Sequence, residues 1–369
     1  MKFILSLVAS LFCVAVATAQ EATPFQEARP GYEYQFPRDF GSHDAFRVEW
    51  WYYTGNLKAV EDGRDFGYQL TFFRVGLDPE EKIPNPSRWT PRQIYFSHFT
   101  VTDVAGEKFY FFEKINRAGL GTAGAEAGRM QVWNDDWTLE GDASEHHFKA
   151  RQNGVGLELK LKPSKPLVFH GAEGISRKGE EEGNASHYFS YTRMASEGVL
   201  ELNGKTYRVE GTSWMDREFS SNQLNDALEG WDWFSLKLNN DYEVMLYQLR
   251  KKGGGVDAFS SGTLIAPDGS WEHLRLEQFT VKARDQWTSP ETGAAYPSGW
   301  EIAIPDHKIQ LRVEPDLRKQ ELYRLRSIDS SYWEGSVSVQ GRQGGESVDG
   351  KGYVELVGYE KPLKQELPE

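Results

Sequence analysis

The segment Gly211-Thr-Ser-Trp-Met-Asp-Arg-Glu-Phe219 sets two carboxylates, Asp216 and Glu218, on either side of Arg217. It follows Asn203-Gly204, a strong hairpin signal, so it reads as the continuation of a strand. Period-two alternation then puts Trp214, Asp216 and Glu218 on one face, and Met215, Arg217 and Phe219 on the other. Two carboxylates on one face repel unless a cation neutralises them or one keeps its proton. An aromatic wall beside them raises a carboxyl pKa, and a carboxylic acid that keeps its proton can act as a general acid. Asp216, Glu218 and Arg217 are therefore the candidate catalytic residues. The competing reading is an Arg–carboxylate cluster that closes one end of a barrel, and these residues alone leave both open.

Candidates for holding a ligand are aromatic. Glu49-Trp-Trp-Tyr-Tyr53 sends rings to both faces of a strand, one face for the core and the other for a lumen or an inter-domain contact. Glu49 is costly there unless paired; His43 and His98 lie near it in sequence or in expected pairing. Trp231-Asp-Trp-Phe234 and Tyr247 form a second aromatic group. His187-Tyr188 and Tyr191-Thr-Arg193 could line a cavity, or be ordinary strand. The candidate binding residues are Trp50, Trp51, Tyr52, Trp214, His187, Trp231, Trp233 and Tyr247.

Other chemistries find no support. Cys13 is the only cysteine and sits in an expected export signal, so the mature chain offers no disulfide, thiolate ligand or cysteine nucleophile. His146-His147 points to opposite faces of a strand, and His170 and His187 lack ligand spacing, so no metal is expected. No glycine loop precedes a helix to cradle phosphate, and no organic cofactor is expected. Gly211-Thr-Ser213-Trp-Met215 lacks the second glycine of a nucleophile elbow. A formal charge of −13 with no basic block argues against a nucleic-acid partner.

The elements that must position these residues read as strands. Residues 1–19 form a signal peptide: Lys2, an apolar run Phe3–Ala17, and the small-residue site Ala17-Thr-Ala19 with cleavage after Ala19. A periplasmic or secreted protein without stable membrane insertion follows from it. From Val48 onward, apolar-rich runs alternate with turns: Val48–Leu57, Phe66–Val75, Gln93–Thr102 and Lys108–Ile115, then shorter runs up to the Asn203-Gly204 hairpin. A second series opens with Trp231–Leu238 and Glu243–Arg250 and closes with Ser331–Gln340 and Gly352–Tyr359, around a Gly341–Gly350 loop read as a flexible surface connection. Residues 77–92 are proline-broken and read as a loop; 117–130 fit a short lid helix or a mobile loop. Long 3.6-period stretches are nearly absent. Aromatic residues make up 14 % of the chain, a composition that suits pleated half-buried surfaces and apolar cavities alike. Each series opens with an aromatic hairpin whose return strand carries Tyr-Gln-Leu, at Tyr68 and at Tyr247, which suggests a duplicated barrel. The expected domains are 20–225 and 226–369.

These blocks resemble the AttH-like / carotenoid 1,2-hydratase (hydroxyneurosporene synthase) family. The resemblance rests on Phe36-Pro-Arg-Asp-Phe-Gly41, Glu49 to Gly55, Gly67 to Arg74, Gly211 to Phe219, Gly230 to Phe234 with Met245 to Arg250, and Tyr332-Trp-Glu-Gly335 with Gly352 to Tyr359. It implies an all-β chain of two tandem lipocalin-like (calycin-type) antiparallel β-barrels with an apolar cavity in or between them. It also implies a hydrophobic, isoprenoid-like small-molecule partner. Hydratase-type members tend to carry His-x-Trp where this chain has Arg217 and Phe219. Three functions remain open: a cofactor-free hydratase in which Asp216 or Glu218 protonates an alkene, a non-catalytic carrier of a lipophilic ligand, and a hydrolase with a carboxylate-activated water.

Overall fold

The computed structural model describes residues 25–77, 92–222 and 227–362. The expected signal at 1–19, most of the 77–92 stretch and the expected boundary at 225/226 lie outside them. Regular structure among the described residues is almost wholly β, with a few single-turn 3-10 helices.

The first sheet has thirteen strands. Its centre is the hairpin Val48–Ala59 and Asp65–Gly76, with the last strand, Lys205–Ser220, pairing back onto the first. From there the sheet runs one way through Gln93–Asp103 to Lys108–Arg117, and the other way through Ala185–Leu202 and Val155–Pro163 to Met130–Asn134 and Ala123–Ala125. The ends nearly meet: Asn116 Nδ2 donates to Asn134 Oδ1 at 2.7 Å and Asn134 Nδ2 to the Lys114 carbonyl at 3.3 Å. The second sheet has ten strands and repeats the plan as a half-barrel. Its opening hairpin, Leu228–Leu238 and Glu243–Lys251, is again central, and its last strand, Glu346–Val357, pairs back onto the first.

Pattern explains which strands stand where. Val155–Pro163 alternates buried leucines with exposed Glu158, Lys160 and Lys162, so one face meets water. Trp51 to Thr54 is buried without a break, because the outer face of that strand lies under the second sheet. Trp51, Tyr53, Leu70 and Met215 fill the interior of the first sheet, and Phe234, Leu236, Val337 and Val354 that of the second. The faces between the sheets hold a third cluster that includes Tyr52, Tyr188, Trp214, Trp233 and Tyr247. Hydrogen bonds cross the junction: His98 Nδ1 with Tyr332 Oη at 2.6 Å, His170 Nδ1 with Thr263 Oγ1 at 2.8 Å, and Ser176 Oγ with Tyr247 Oη at 3.0 Å.

The Asn203-Gly204 hairpin joins two long strands, Ala185–Leu202 and Lys205–Ser220, with φ of 52° and 85° at the turn, and Gly211–Phe219 continues the second as expected. Two local expectations are corrected. Residues 117–130 form no helix; they run into the edge strand Ala123–Ala125. Most of Gly341–Gly350 is strand, because Gly344 and Gly345, at φ 60° and 97°, make a tight turn between Tyr332–Gln343 and Glu346–Val357.

Candidate functional site

The hollow lies between the two sheets, whose interiors are packed with their own side chains. It is lined by Trp50, Tyr52 and Phe73 from the first hairpin, by Tyr188, Asp216 and Glu218 from the same sheet, and by Lys178, which directly follows its strand Ile175–Arg177. The second sheet supplies Trp231, Trp233, Tyr247, Leu249 and Glu355. Registers explain the convergence. Trp50 pairs with Glu218 and Tyr52 with Asp216 across neighbouring strands, and Trp233 pairs with Tyr247 and Glu355 on the opposing sheet. The space is about 130 Å³. An apolar cavity of ~150 Å³ accommodates benzene, so this one fits a single ring or short branched unit. Trp50, Phe73 and Trp231 are only half-buried and form its mouth, where the rest of a longer molecule would emerge.

Asp216 forms part of one wall. Tyr188 Oη donates to its Oδ2 at 2.9 Å and Trp214 Nε1 to its Oδ1 at 2.6 Å; Ser190 Oγ also donates to Oδ1. None of these donors is a cation. Burial therefore outweighs three hydrogen bonds, and the pKa rises to about 7, with the Glu218 charge adding to the rise. Behind Ser190, His170 Nε2 is 2.8 Å from Ser190 Oγ, and burial depresses its pKa to about 3, which keeps the ring neutral. With Ser190 donating to Asp216, His170 carries its proton on Nε2 and accepts from Thr263. Serine thus sits between histidine and aspartate, fully buried, rather than at the exposed end of a hydrolase triad.

Glu218 is a different carboxylate. Lys178 Nζ and Ser186 Oγ both donate to its Oε1, and Lys178 Nζ also reaches Ser186 Oγ at 2.7 Å. Facing them from the second sheet, Glu355 Oε2 accepts from Trp231 Nε1 at 2.7 Å. Its register partner is Glu334, whose Oε1 accepts from Tyr52 Oη at 2.6 Å. Burial raises the pKa of Glu334 well above the usual range and that of Glu355 to about 7. Among the described residues no group of three or more His, Cys, Asp or Glu is arranged to hold a metal ion.

Four sequence candidates do not line this cavity. Arg217 lies on the opposite face, as its odd position requires, and its guanidinium packs 3.9 Å from the Trp51 ring centroid while paired with Glu49. Trp51 shares that interior face. His187 pairs in register with Phe219 and packs against Phe219 and Tyr32, with ring centroids 4.8 and 4.4 Å away. Positions 217 and 219 thus point away from the cavity, so the departure from His-x-Trp changes the barrel interior and leaves the cavity wall untouched. Trp214 is on the cavity's face but fully buried behind it, where it positions Asp216. The sequence reading did not single out Lys178, Glu334 or Glu355 as site residues. A local signal existed for the two glutamates: Glu334 follows the aromatic pair Tyr332-Trp333, and Glu355 interrupts the apolar run Tyr353-Val-Glu-Leu-Val357.

Comparisons with known proteins agree with this architecture. Residues 27–359 match the sequence profile of a family described as AttH-like. A Nitrosomonas europaea protein assigned to AttH is 32 % identical, with a TM-score of 0.81 over 91 % of this chain and 100 % of that one. Kievitone hydratase of Nectria haematococca is 14 % identical, with a TM-score of 0.67 over 92 % and 97 %. CghA, whose structure is also known with Sch210972, is 15 % identical, with a TM-score of 0.51 over 84 % and 88 %. At these low identities the last two share the fold. No curated protein matches the chain in sequence.

Proposed function

This chain belongs to the AttH-like family, and we propose that it is an exported hydratase acting on the unsaturated apolar end of a small, isoprenoid-like molecule. The observation that carries the reading is Asp216: a carboxyl that keeps its proton near neutral pH, beside an aromatic cavity and, among the described residues, with neutral hydrogen-bond donors. In this reading Asp216 gives its proton to an alkene carbon. The faces of Trp50, Trp231 and Trp233 then stabilise the positive charge on the neighbouring carbon. Water captures that carbon, and the product is an alcohol. General acid catalysis of this kind contributes about 10²–10⁴-fold in rate. The hydratase activity named for one fold neighbour is consistent with this chemistry.

A carrier would use the same aromatic walls, but a binder gains nothing from a buried acid whose ionisation opposes folding. Hydrolysis by a serine triad is opposed by the order His170–Ser190–Asp216. The test uses prenyl alcohol, whose branched five-carbon end suits the cavity, in water labelled with heavy oxygen. We expect a product heavier by one labelled water. Probe that binds and is recovered unchanged would make the protein a carrier. Export has its own check: the exported chain is expected to begin at Gln20, and one retaining residues 1–19 would count against it.

A further inference from the structure

Hydration needs a base as well as an acid, and the cavity holds two further carboxylates. Glu218 has a fixed cation on it: Lys178 Nζ and Ser186 Oγ both donate to Oε1. Among the described residues Glu355 has no such clamp. Its Oε2 accepts from a neutral indole, Trp231, and part of the residue stays open to the cavity. Glu334, its register partner on the neighbouring strand, accepts from a neutral phenol, Tyr52. Register partners hold their Cβ atoms about 4.5–5.5 Å apart. Two carboxylates that close, each with a neutral donor, share one proton. Glu334, the more deeply buried, keeps it, which leaves Glu355, facing the ligand space, as the member that ionises first.

We propose that Glu355 is the base that takes the proton of the attacking water, with Glu218 held by Lys178 as a fixed anion. The inference rests on the hydration reading given above. Among the described residues, the charged and titratable groups around Glu355 include Glu334, Tyr332 and Tyr247 on its own sheet, and Asp216, Glu218, Lys178, Tyr52 and Tyr188 on the other side of the cavity. The step balances. The Asp216 proton and the alkene π pair form the new C–H bond. A water lone pair forms the C–O bond to the cation, and the proton released from that water passes to the Glu355 carboxylate. One water has been added, and one proton has moved from the first sheet to the second. Its return to Asp216 through solvent resets the site.

Glu355→Gln keeps an acceptor for Trp231 and removes the base. With prenyl alcohol in heavy water, the variant is expected to hydrate about 10²-fold more slowly or worse. Recovered alkene should still take up deuterium, because Asp216 still protonates it. The acid limb of the pH–rate profile should disappear, and Glu355→Asp should restore it. Carboxyl NMR should show one glutamate titrating near neutrality in the parent and absent from Glu355→Gln. Hydration by Glu355→Gln at the parent rate, with its acid limb intact, overturns the assignment and leaves the hydratase reading standing. A parent protein that neither hydrates nor exchanges overturns the hydratase reading and the assignment with it.

Discussion

Asp216→Asn is expected to end turnover and to leave a protein that is more stable than the parent above neutral pH. Asparagine keeps the shape and can still accept from Trp214 and Ser190, but it has no proton to give, so the loss is at least the ~10²–10⁴-fold of a general acid. The stability effect has a sign of its own. Unfolded, the carboxyl ionises near its ordinary value of 3.8; folded, it holds its proton to about 7. Between those values the folded chain binds the extra proton, so stability falls as pH rises across that window and stays reduced above it. The full cost is about 4 kcal/mol. Asparagine carries no such cost. Melting curves of parent and variant should therefore lie closest at about pH 4 and diverge by about pH 8, with the variant higher. A gap that does not widen, or a variant that still turns over, would mean that Asp216 does not hold the proton assigned to it.

Glu49→Gln should damage the fold more than any surface change. Glu49 is fully buried and sits between two fully buried arginines: Arg74 Nε and Arg217 Nη2 both donate to its carboxylate, and the His43 backbone N–H lies 3.0 and 3.1 Å from its two oxygens. The two arginines hold its pKa well below the usual range against the pull of burial. Removing one partner of a buried ion pair leaves uncompensated charge and costs about 3–5 kcal/mol. Here two guanidiniums lose the same carboxylate, against a typical total stability of about 5–15 kcal/mol. Urea unfolding should show a midpoint lowered accordingly. Glu61→Gln, which breaks an exposed pair with Arg208, should leave the midpoint close to the parent's. Equal effects of the two substitutions would contradict the buried network. The consequence reaches the site, because Arg217 stands between Asp216 and Glu218 on one strand, and its anchorage to Glu49 fixes that strand in place.

Much of this was open to reading from the chain alone. Backbone pleat is local, so alternation separates Trp214, Asp216 and Glu218 from Met215, Arg217 and Phe219 without knowledge of any partner. Turn chemistry at Asn203-Gly204 and the two aromatic hairpins announce the sheets, and the cost of an unpaired Glu49 requires the partners it has. Where the hollow lies, and which carboxyl keeps a proton, depend on contacts made across the fold. Lys178, forty residues from Glu218, turns that glutamate into a clamped anion, while Asp216 beside it meets only neutral donors. Glu355 comes to the cavity because its strand closes the second sheet against the first. Side-chain direction follows from covalent geometry residue by residue, whereas desolvation and charge sum over everything packed nearby, and only the assembled sheets determine that sum.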